Sequence, residues 1–262
     1  MTWIEALILG IIQGLTEFLP VSSSGHLEIG SVLLNAESSD NLLFAVVVHL
    51  ATAFATIVVF KDDILALLKD IFKFQWNEST QFAAKILLSM IPVFVVAMLW
   101  KEQIESMFTG NLLLVGSMLL ITGGLLLFAH YKKDGNKSVG FIASILIGFS
   151  QAFAVLPGIS RSGSTIATAL ILGIERSKAA RFSFLMVLIP ILGASLLEVK
   201  DYTENPSLHS VELSTLLVGF LAAFISGFIA CKWMIKIVKK GKLTYFAIYC
   251  FIVGAIAIIS AI

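Results

Sequence analysis

Two polar, helix-breaking stretches interrupt a chain that is otherwise almost continuously apolar, and the two are copies of each other. The first reads Gln13-Gly-Leu-Thr-Glu17-Phe-Leu-Pro20-Val-Ser22-Ser23-Ser24-Gly25-His26, and the second reads Gln151-Ala-Phe-Ala-Val155-Leu-Pro157-Gly158-Ile-Ser160-Arg161-Ser162-Gly163-Ser164-Thr165. Laid Gln on Gln, both place Ser-x-Ser-Gly nine residues later, at an offset of 138 residues. In each copy an apolar segment runs into a Pro-containing break, then into small hydroxyl residues and a Gly, and an apolar segment resumes. Broken backbone at membrane depth is tolerated only where protein or a water-filled cavity shields it. Matched breaks in two halves of a chain point to a binding site between them. The two breaks are therefore expected to face each other around something polar, and the residues suit a phosphate group.

The membrane enters through composition. Of 262 residues 58% are hydrophobic and 13% charged, with a mean hydropathy of +0.97, whereas about a quarter of a soluble domain is charged. This implies an all-α polytopic membrane protein with the bilayer as its main partner. The net charge of +1 is uninformative about partners, because charge location matters here more than its sum; no nucleic-acid partner is expected. Cys231 and Cys250 lie in apolar segments, where thiols act as small hydrophobes, so no disulfide is expected. The N-terminus lacks a basic region followed by a small-residue cleavage site, so no removed signal peptide is expected.

Six apolar stretches, about 42–60, 82–100, 111–130, 177–198, 211–235 and 243–262, approach or exceed the roughly 20 residues that cross a bilayer. The pieces around the breaks are shorter. Each pair, 3–18 with 26–34 and 140–155 with 165–173, reads as a helix that dips in, breaks and returns on the same side. The copies extend past the motifs, since the 19-residue step from Gly25 to Phe44 recurs from Gly163 to Phe182. Within a single membrane domain, 1–262, a first half (1–130) and a second half (138–262) each hold a re-entrant pair and three spans. Three is odd, so the second half enters from the opposite face, giving an inverted-topology repeat of six transmembrane helices plus two re-entrant helix pairs.

Charge sets the expected orientation. Only Lys101 and Lys200 fall on the face that holds the N-terminus and Arg161 lies inside, so the other 15 of the 18 basic residues fall on the opposite face. The positive-inside rule makes that face cytoplasmic and puts both termini outside. Segment 62–76, with lysines, an apolar face and a terminal Trp76, reads as an amphipathic helix on the cytoplasmic surface. The pairing of Gly116 with Gly123 and Gly124 signals close helix packing, either within the chain or in a homodimer.

Arg161 is the sharpest chemical signal. A charge at bilayer depth costs at least about 2.5–3.5 kcal/mol on insertion scales and needs an anionic partner or a cavity. Its planar fork of donors matches phosphate oxygens, and Ser160, Ser162 and Gly163 lead into a helix whose first amides favour an anion. Glu17, one turn after Gln13 on the same helix face, is the other intramembrane charge. With Gln13 it could hold a hard divalent cation, Mg²⁺ or Ca²⁺, that takes phosphate oxygens as further ligands; the plainer alternative is a carboxylate that balances Arg161. Ser22, Ser23 and Ser24 with His26 offer a nucleophile and a base on one turn, although Ser22 and Ser24 are equally suited to capping a helix. Thr165 is a weaker phosphate-binding candidate that could cap its own helix. His49, whose counterpart at the 138-residue offset is Val187, is read as structural.

These two motifs resemble those of the undecaprenyl-diphosphate phosphatase family linked to bacitracin resistance, and the resemblance covers essentially the whole chain. It implies hydrolysis of the terminal phosphate of undecaprenyl diphosphate, a divalent-cation requirement, and a site open to the outer side of the bacterial plasma membrane. The polyprenyl diphosphate lipid would be the substrate partner. Carried over by position, Glu17 is a metal-associated or acid/base carboxylate, Ser23 the nucleophile, His26 the base or an alternative nucleophile, and Arg161 the phosphate clamp, with Ser22, Ser24, Ser160, Ser162, Gly163 and Thr165 around the phosphate. One departure is Gln13, where many members carry Glu. Direct attack by water fits the residues as well as attack by Ser23. Architecture alone would also suit a transporter or flippase for an anionic lipid or phosphate, but transport has no use for a Ser-Gly-His set beside a carboxylate.

Overall fold

The computed structural model describes residues 1–36, 41–108, 110–132, 135–204 and 212–261. Among these the chain forms thirteen helices and no strand: α1 Trp3–Phe18, α2 Ser23–Leu34, α3 Asn41–Val59, α4 Lys61–Ile71, α5 Glu78–Leu99, α6 Lys101–Glu105, α7 Leu112–His130, α8 Phe141–Phe153, α9 Arg161–Ile171, α10 Arg176–Met186, α11 Leu188–Glu204, α12 Leu213–Lys239 and α13 Thr244–Ser260. The sole extended pairing among the described residues is an isolated bridge between Lys137 and Ile174.

Among the described residues each of the six apolar stretches is mostly helical, but they differ as membrane spans. Glu78–Leu99, Leu112–His130, Arg176–Leu197 and Leu213–Lys239 are long and apolar enough to cross a bilayer. A fifth is reached by joining Leu43–Val59 to Lys61–Ile71, which bend by 77° at Phe60. The last stretch is a helix of 17 residues, short of the roughly 20 that span unaided. The surface helix expected over 62–76 is the shorter α4. It buries none of its residues and leaves Leu65 and Leu68 exposed, while Trp76 beyond it stacks on Phe141.

The short broken helices are held in place by the long ones. The helix α1 packs along α12 and α2, and α8 packs along α5 and α9. Glycines allow the close approach: a Cβ on Gly14 would collide with Ser226 and the backbone of α12, and one on Gly148 with the backbone of Ser89 in α5. Likewise α7 lies against α13 through Gly116 facing Gly254 and Gly123 facing Ala247 and Phe251. Gly116 and Gly123 are therefore used inside the chain, and Gly124 alone of that set meets open space. The largest core cluster gathers Phe18, Ile166, Phe182, Phe184 and Met186 behind the breaks. Outward, Leu217, Leu221, Ile225, Ile229 and Trp233 form an exposed apolar stripe along α12, repeating every four residues as a lipid-facing helix surface does. The protein is a multi-pass membrane protein.

Basic residues collect at one end of the bundle. Arg181 pairs with Asp63 at 2.7 Å, Lys178 donates to Ser138, and the Arg176 guanidinium lies beside Gly241 in the α12–α13 turn. Lys85 sits over the Phe141 ring at the start of α8. The starts of α4, α8 and α10 and the end of α12 are thus neighbours.

Candidate active site

The first break is built by its serine. After α1 ends at Phe18, Leu19 is extended and Ser22 takes φ 69°, ψ 96°, a left-handed conformation that non-glycine residues rarely adopt. Its hydroxyl accepts from the Gly25 amide at 3.3 Å, which makes Ser22 the N-cap and starts α2 at Ser23, three residues earlier than the apolar pattern predicts. The second break is built the same way. Gly158 has φ 95°, Ser160 accepts from the Gly163 amide at 3.0 Å, and α9 begins at Arg161 rather than near Thr165. Thr122 of α7 fixes this turn, accepting from the Ser160 amide at 3.0 Å and donating to the Gly158 carbonyl at 3.1 Å. Capping decides both helix starts. Ser23 and Arg161 therefore stand at the first helical position, where unpaired amides favour anions.

The two breaks touch. Arg161 Nη2 donates to Glu17 Oε1 in an ion pair, and Ser162 Oγ donates to the Leu19 carbonyl at 3.2 Å. A Cβ on Gly25 would lie 2.9 Å from Gly158 Cα, and one on Gly163 would lie 3.2 Å from Pro20 Cβ. Only glycines let the loops come this close.

Glu17 is the centre of the arrangement. It is 7% exposed, and its Oε2 accepts from Ser23 Oγ at 2.6 Å and from Gln13 Nε2 at 2.8 Å. His49 Nε2 stands 3.5 Å from the same oxygen. Two buried polar atoms nearby have no hydrogen-bond partner in the protein: Arg161 Nη1 and Gln13 Oε1. Leaving such a group unmade costs about 1–3 kcal/mol and more when it is charged. Such atoms are candidates to bind a ligand, an ion or water.

The structure brings Gln13, Glu17, Ser23 and Arg161 together and places His26 elsewhere. His26 Nδ1 donates to the Ser22 carbonyl at 2.7 Å, its Nε2 meets Tyr249 Oη at 2.8 Å, and its ring stacks on Tyr249 with 5.5 Å between centroids. Ser23 hydrogen-bonds to Glu17, not to His26. Ser22 and Ser24 hydroxyls lie 3.3 Å apart at the first helix start, as do those of Ser160 and Ser162 at the second. Thr165 Oγ1 donates to the Arg161 carbonyl at 2.9 Å and lies 2.6 Å from Ser183 Oγ of α10, so its hydroxyl is used in the core. Sequence reasoning passed over Tyr249 and Thr122 and read His49 as structural. A signal existed for His49: an ionisable side chain within a membrane helix is functional by default. Its counterpart Val187 pointed the other way. Among the described residues no group of three or more His, Cys, Asp and Glu side chains is gathered as for a metal ion.

The family profile described as bacitracin resistance protein BacA matches residues 6–256, a range that contains both breaks and every residue just described. The chain belongs to the BacA family. Curated relatives of this chain include several named undecaprenyl-diphosphatase. The undecaprenyl-diphosphatase of Parabacteroides distasonis is 53% identical over 260 residues, covering 98% of each chain. That of Bacteroides fragilis is 52% identical over 261 residues, covering 99% of this chain and 98% of its own. The undecaprenyl-diphosphatase of Methanobrevibacter smithii is 37% identical over 278 residues, covering 100% of this chain and 99% of its own. BacA family membership therefore applies to the whole chain, and to both halves of the site.

Proposed function

We propose that this chain is an undecaprenyl-diphosphatase that removes the terminal phosphate of undecaprenyl diphosphate to regenerate the lipid carrier of cell-wall synthesis. The observation that carries it is the meeting of the two breaks: a guanidinium with an unpartnered Nη1, two capped helix starts and a carboxylate-bound serine converge on one place. Arg161 Nη1, with the first amides of α2 and α9, would bind the phosphate oxygens and stabilise the charge on the transferring phosphoryl group, the main catalytic need in this chemistry. Ser23 Oγ attacks the terminal phosphorus, its proton passes to Glu17 Oε2, and the bond to the bridging oxygen breaks to leave undecaprenyl phosphate. Water then hydrolyses the phosphoserine to release inorganic phosphate. Phosphoryl transfer asks little basicity of the group that orients the nucleophile, which suits a carboxylate paired with Arg161. His26 serves here as a brace of the first loop through Ser22 and Tyr249.

A divalent cation belongs to this reading. The donors fit one: Glu17 supplies a carboxylate, and Gln13 Oε1 is a buried oxygen without a partner. Such an ion would neutralise diphosphate charge, taking further ligands from the substrate and water.

The same reading extends to the membrane. The two halves, 1–130 and 138–262, form an inverted repeat of six spans and two re-entrant pairs in the bacterial plasma membrane. Its support is reciprocal packing: α1 lies on α12 as α8 lies on α5, and the 138-residue offset maps α1 onto α8 and α5 onto α12. The basic end faces the cytoplasm, so both termini and the mouth of the site face outward, with the prenyl tail between helices in the bilayer. One chain completes the site, so a homodimer is not needed for catalysis. Phosphate release from undecaprenyl diphosphate by the purified protein in detergent, with and without chelator, tests the function. Chelator-sensitive release supports it. Lipid binding without release would favour a transporter of an anionic lipid, to be examined by flipping in liposomes.

A further inference from the structure

We infer that His49 Nε2 is a third protein donor to the divalent cation held at Glu17 and Gln13, and that this nitrogen turns the site toward first-row ions such as Mn²⁺ and Zn²⁺ over Mg²⁺ and Ca²⁺. The inference rests on the cation included in the proposed phosphatase reaction and adds a ligand from another helix, α3.

The tautomer comes first. His49 Nδ1 is 2.7 Å from the Ala45 carbonyl one turn earlier, and a carbonyl can only accept, so Nδ1 carries the hydrogen. Neutral imidazole then has a bare lone pair at Nε2. That nitrogen lies 3.5 Å from Glu17 Oε2, too far for a good hydrogen bond. It is the right separation for two ligands of one ion: bonds of about 2.1 Å each with ends 3.5 Å apart meet at about 113°, near the tetrahedral angle. A histidine whose second ring nitrogen donates to a backbone carbonyl is the usual form of a metal-binding imidazole. Gln13 Oε1 completes the set as the buried acceptor without a partner. Glu17 Oε2 already accepts from Ser23 and Gln13; an arriving ion displaces the Gln13 N–H, a half-turn of that amide offers Oε1 in place of Nε2, and the Ser23 hydrogen bond used in the proposed reaction stays. One carboxylate, one amide oxygen and one imidazole make a weaker site for hard cations than two carboxylates would, and a better one for ions that accept nitrogen.

Mn²⁺ added to the untagged, full-length protein in detergent is the probe, read by pulsed electron paramagnetic resonance and by equilibrium binding. Bound Mn²⁺ is expected to show coupling to an imidazole nitrogen. His49→Gln is expected to lose that coupling and to bind Mn²⁺ more weakly by on the order of 10–100-fold, while unfolding at an unchanged temperature. His49→Glu is expected to recover affinity without the nitrogen signal, a rescue that a merely structural role would not produce. Mn²⁺ bound without nitrogen coupling, or with affinity unchanged in His49→Gln, would overturn the ligand role. The phosphatase reading stands apart from these results, because it fails only if the wild-type protein releases no phosphate from undecaprenyl diphosphate.

Discussion

Arg161 at the start of α9 forms a largely buried ion pair with Glu17 at the end of α1, 144 positions earlier in the chain, with the arginine side chain 15% exposed and the carboxylate 6%. This pair is the joint between the two breaks. It leaves Arg161 Nη1 unpartnered, so the guanidinium has a binding edge to spare. Removing one member of a buried pair is costly, about 3–5 kcal/mol, because it strands the other charge. The conservative variants of this pair are therefore the informative ones.

Ser23→Ala should abolish turnover while preserving substrate binding. Its hydroxyl is 2.6 Å from Glu17 Oε2, and loss of a positioned nucleophile and its proton acceptor is expected to lower kcat by roughly 10²–10⁴-fold. Steady-state phosphate release beside a lipid-binding assay checks it. Turnover near that of the wild type would assign the attack to water.

Tyr249→Phe separates bracing from proton transfer at His26. The variant deletes one hydrogen bond of about 1 kcal/mol and frees His26 Nε2, whose partner it was. A brace predicts a loss in kcat of less than tenfold and a small fall in Tm. A loss as large as that of Ser23→Ala would return His26 to the proton path.

Gly158→Ala should damage folding and activity together. The position has φ 95°, and an added Cβ would lie 2.5 Å from the Val115 carbonyl oxygen and 2.7 Å from Met118 Cβ. Overpacking of this kind costs about 1–3 kcal/mol, and the left-handed backbone adds to it. Thermal unfolding in detergent should show the drop; an unchanged Tm would mean that the loops need not pack so closely.

Gln13→Glu should raise the affinity for Mg²⁺ or Ca²⁺ by about tenfold, since a second carboxylate strengthens a hard-cation site. Without cation the same variant should be less stable than the wild type, because the Gln13–Glu17 hydrogen bond becomes a like-charge contact. The cation concentration at half-maximal phosphate release gives the first quantity and a chelated melting curve the second. No change in either would remove Gln13 from the cation site.

Much of this site is legible from sequence because polar residues are conspicuous in an apolar chain. Glu17 and Arg161 stand out by the cost of a charge at membrane depth, the repeat places the two breaks opposite each other, and the resemblance picks Ser23 from the three serines. What the pattern misses is decided by local capping and by tertiary contact. Apolar periodicity begins α2 at 26 and α9 at 165, whereas the hydroxyls of Ser22 and Ser160 start both helices earlier. His26 lies three positions after Ser23, which invites a nucleophile–base pair. The imidazole is instead claimed by Tyr249 of α13, 223 positions away, a neighbour that no local pattern announces. His49 is hidden for the same reason, since only the packing of α3 against α1 brings it to Glu17. The span count is blurred by length, because α3 breaks at Phe60 and α13 stops at 17 residues.

The most direct measurement is phosphate release from undecaprenyl diphosphate by purified wild-type protein, Arg161→Lys and Glu17→Gln side by side, with each variant's Tm recorded. Glu17→Gln is isosteric and Arg161→Lys keeps the positive charge; Lys loses the fork that can hold Glu17 and phosphate together, and Gln loses the carboxylate that orients Ser23. The account predicts wild-type release and a fall of roughly 10²–10³-fold in each variant, with both proteins still folded. Turnover within tenfold of the wild type in either folded variant would contradict a phosphatase site shared between the two breaks.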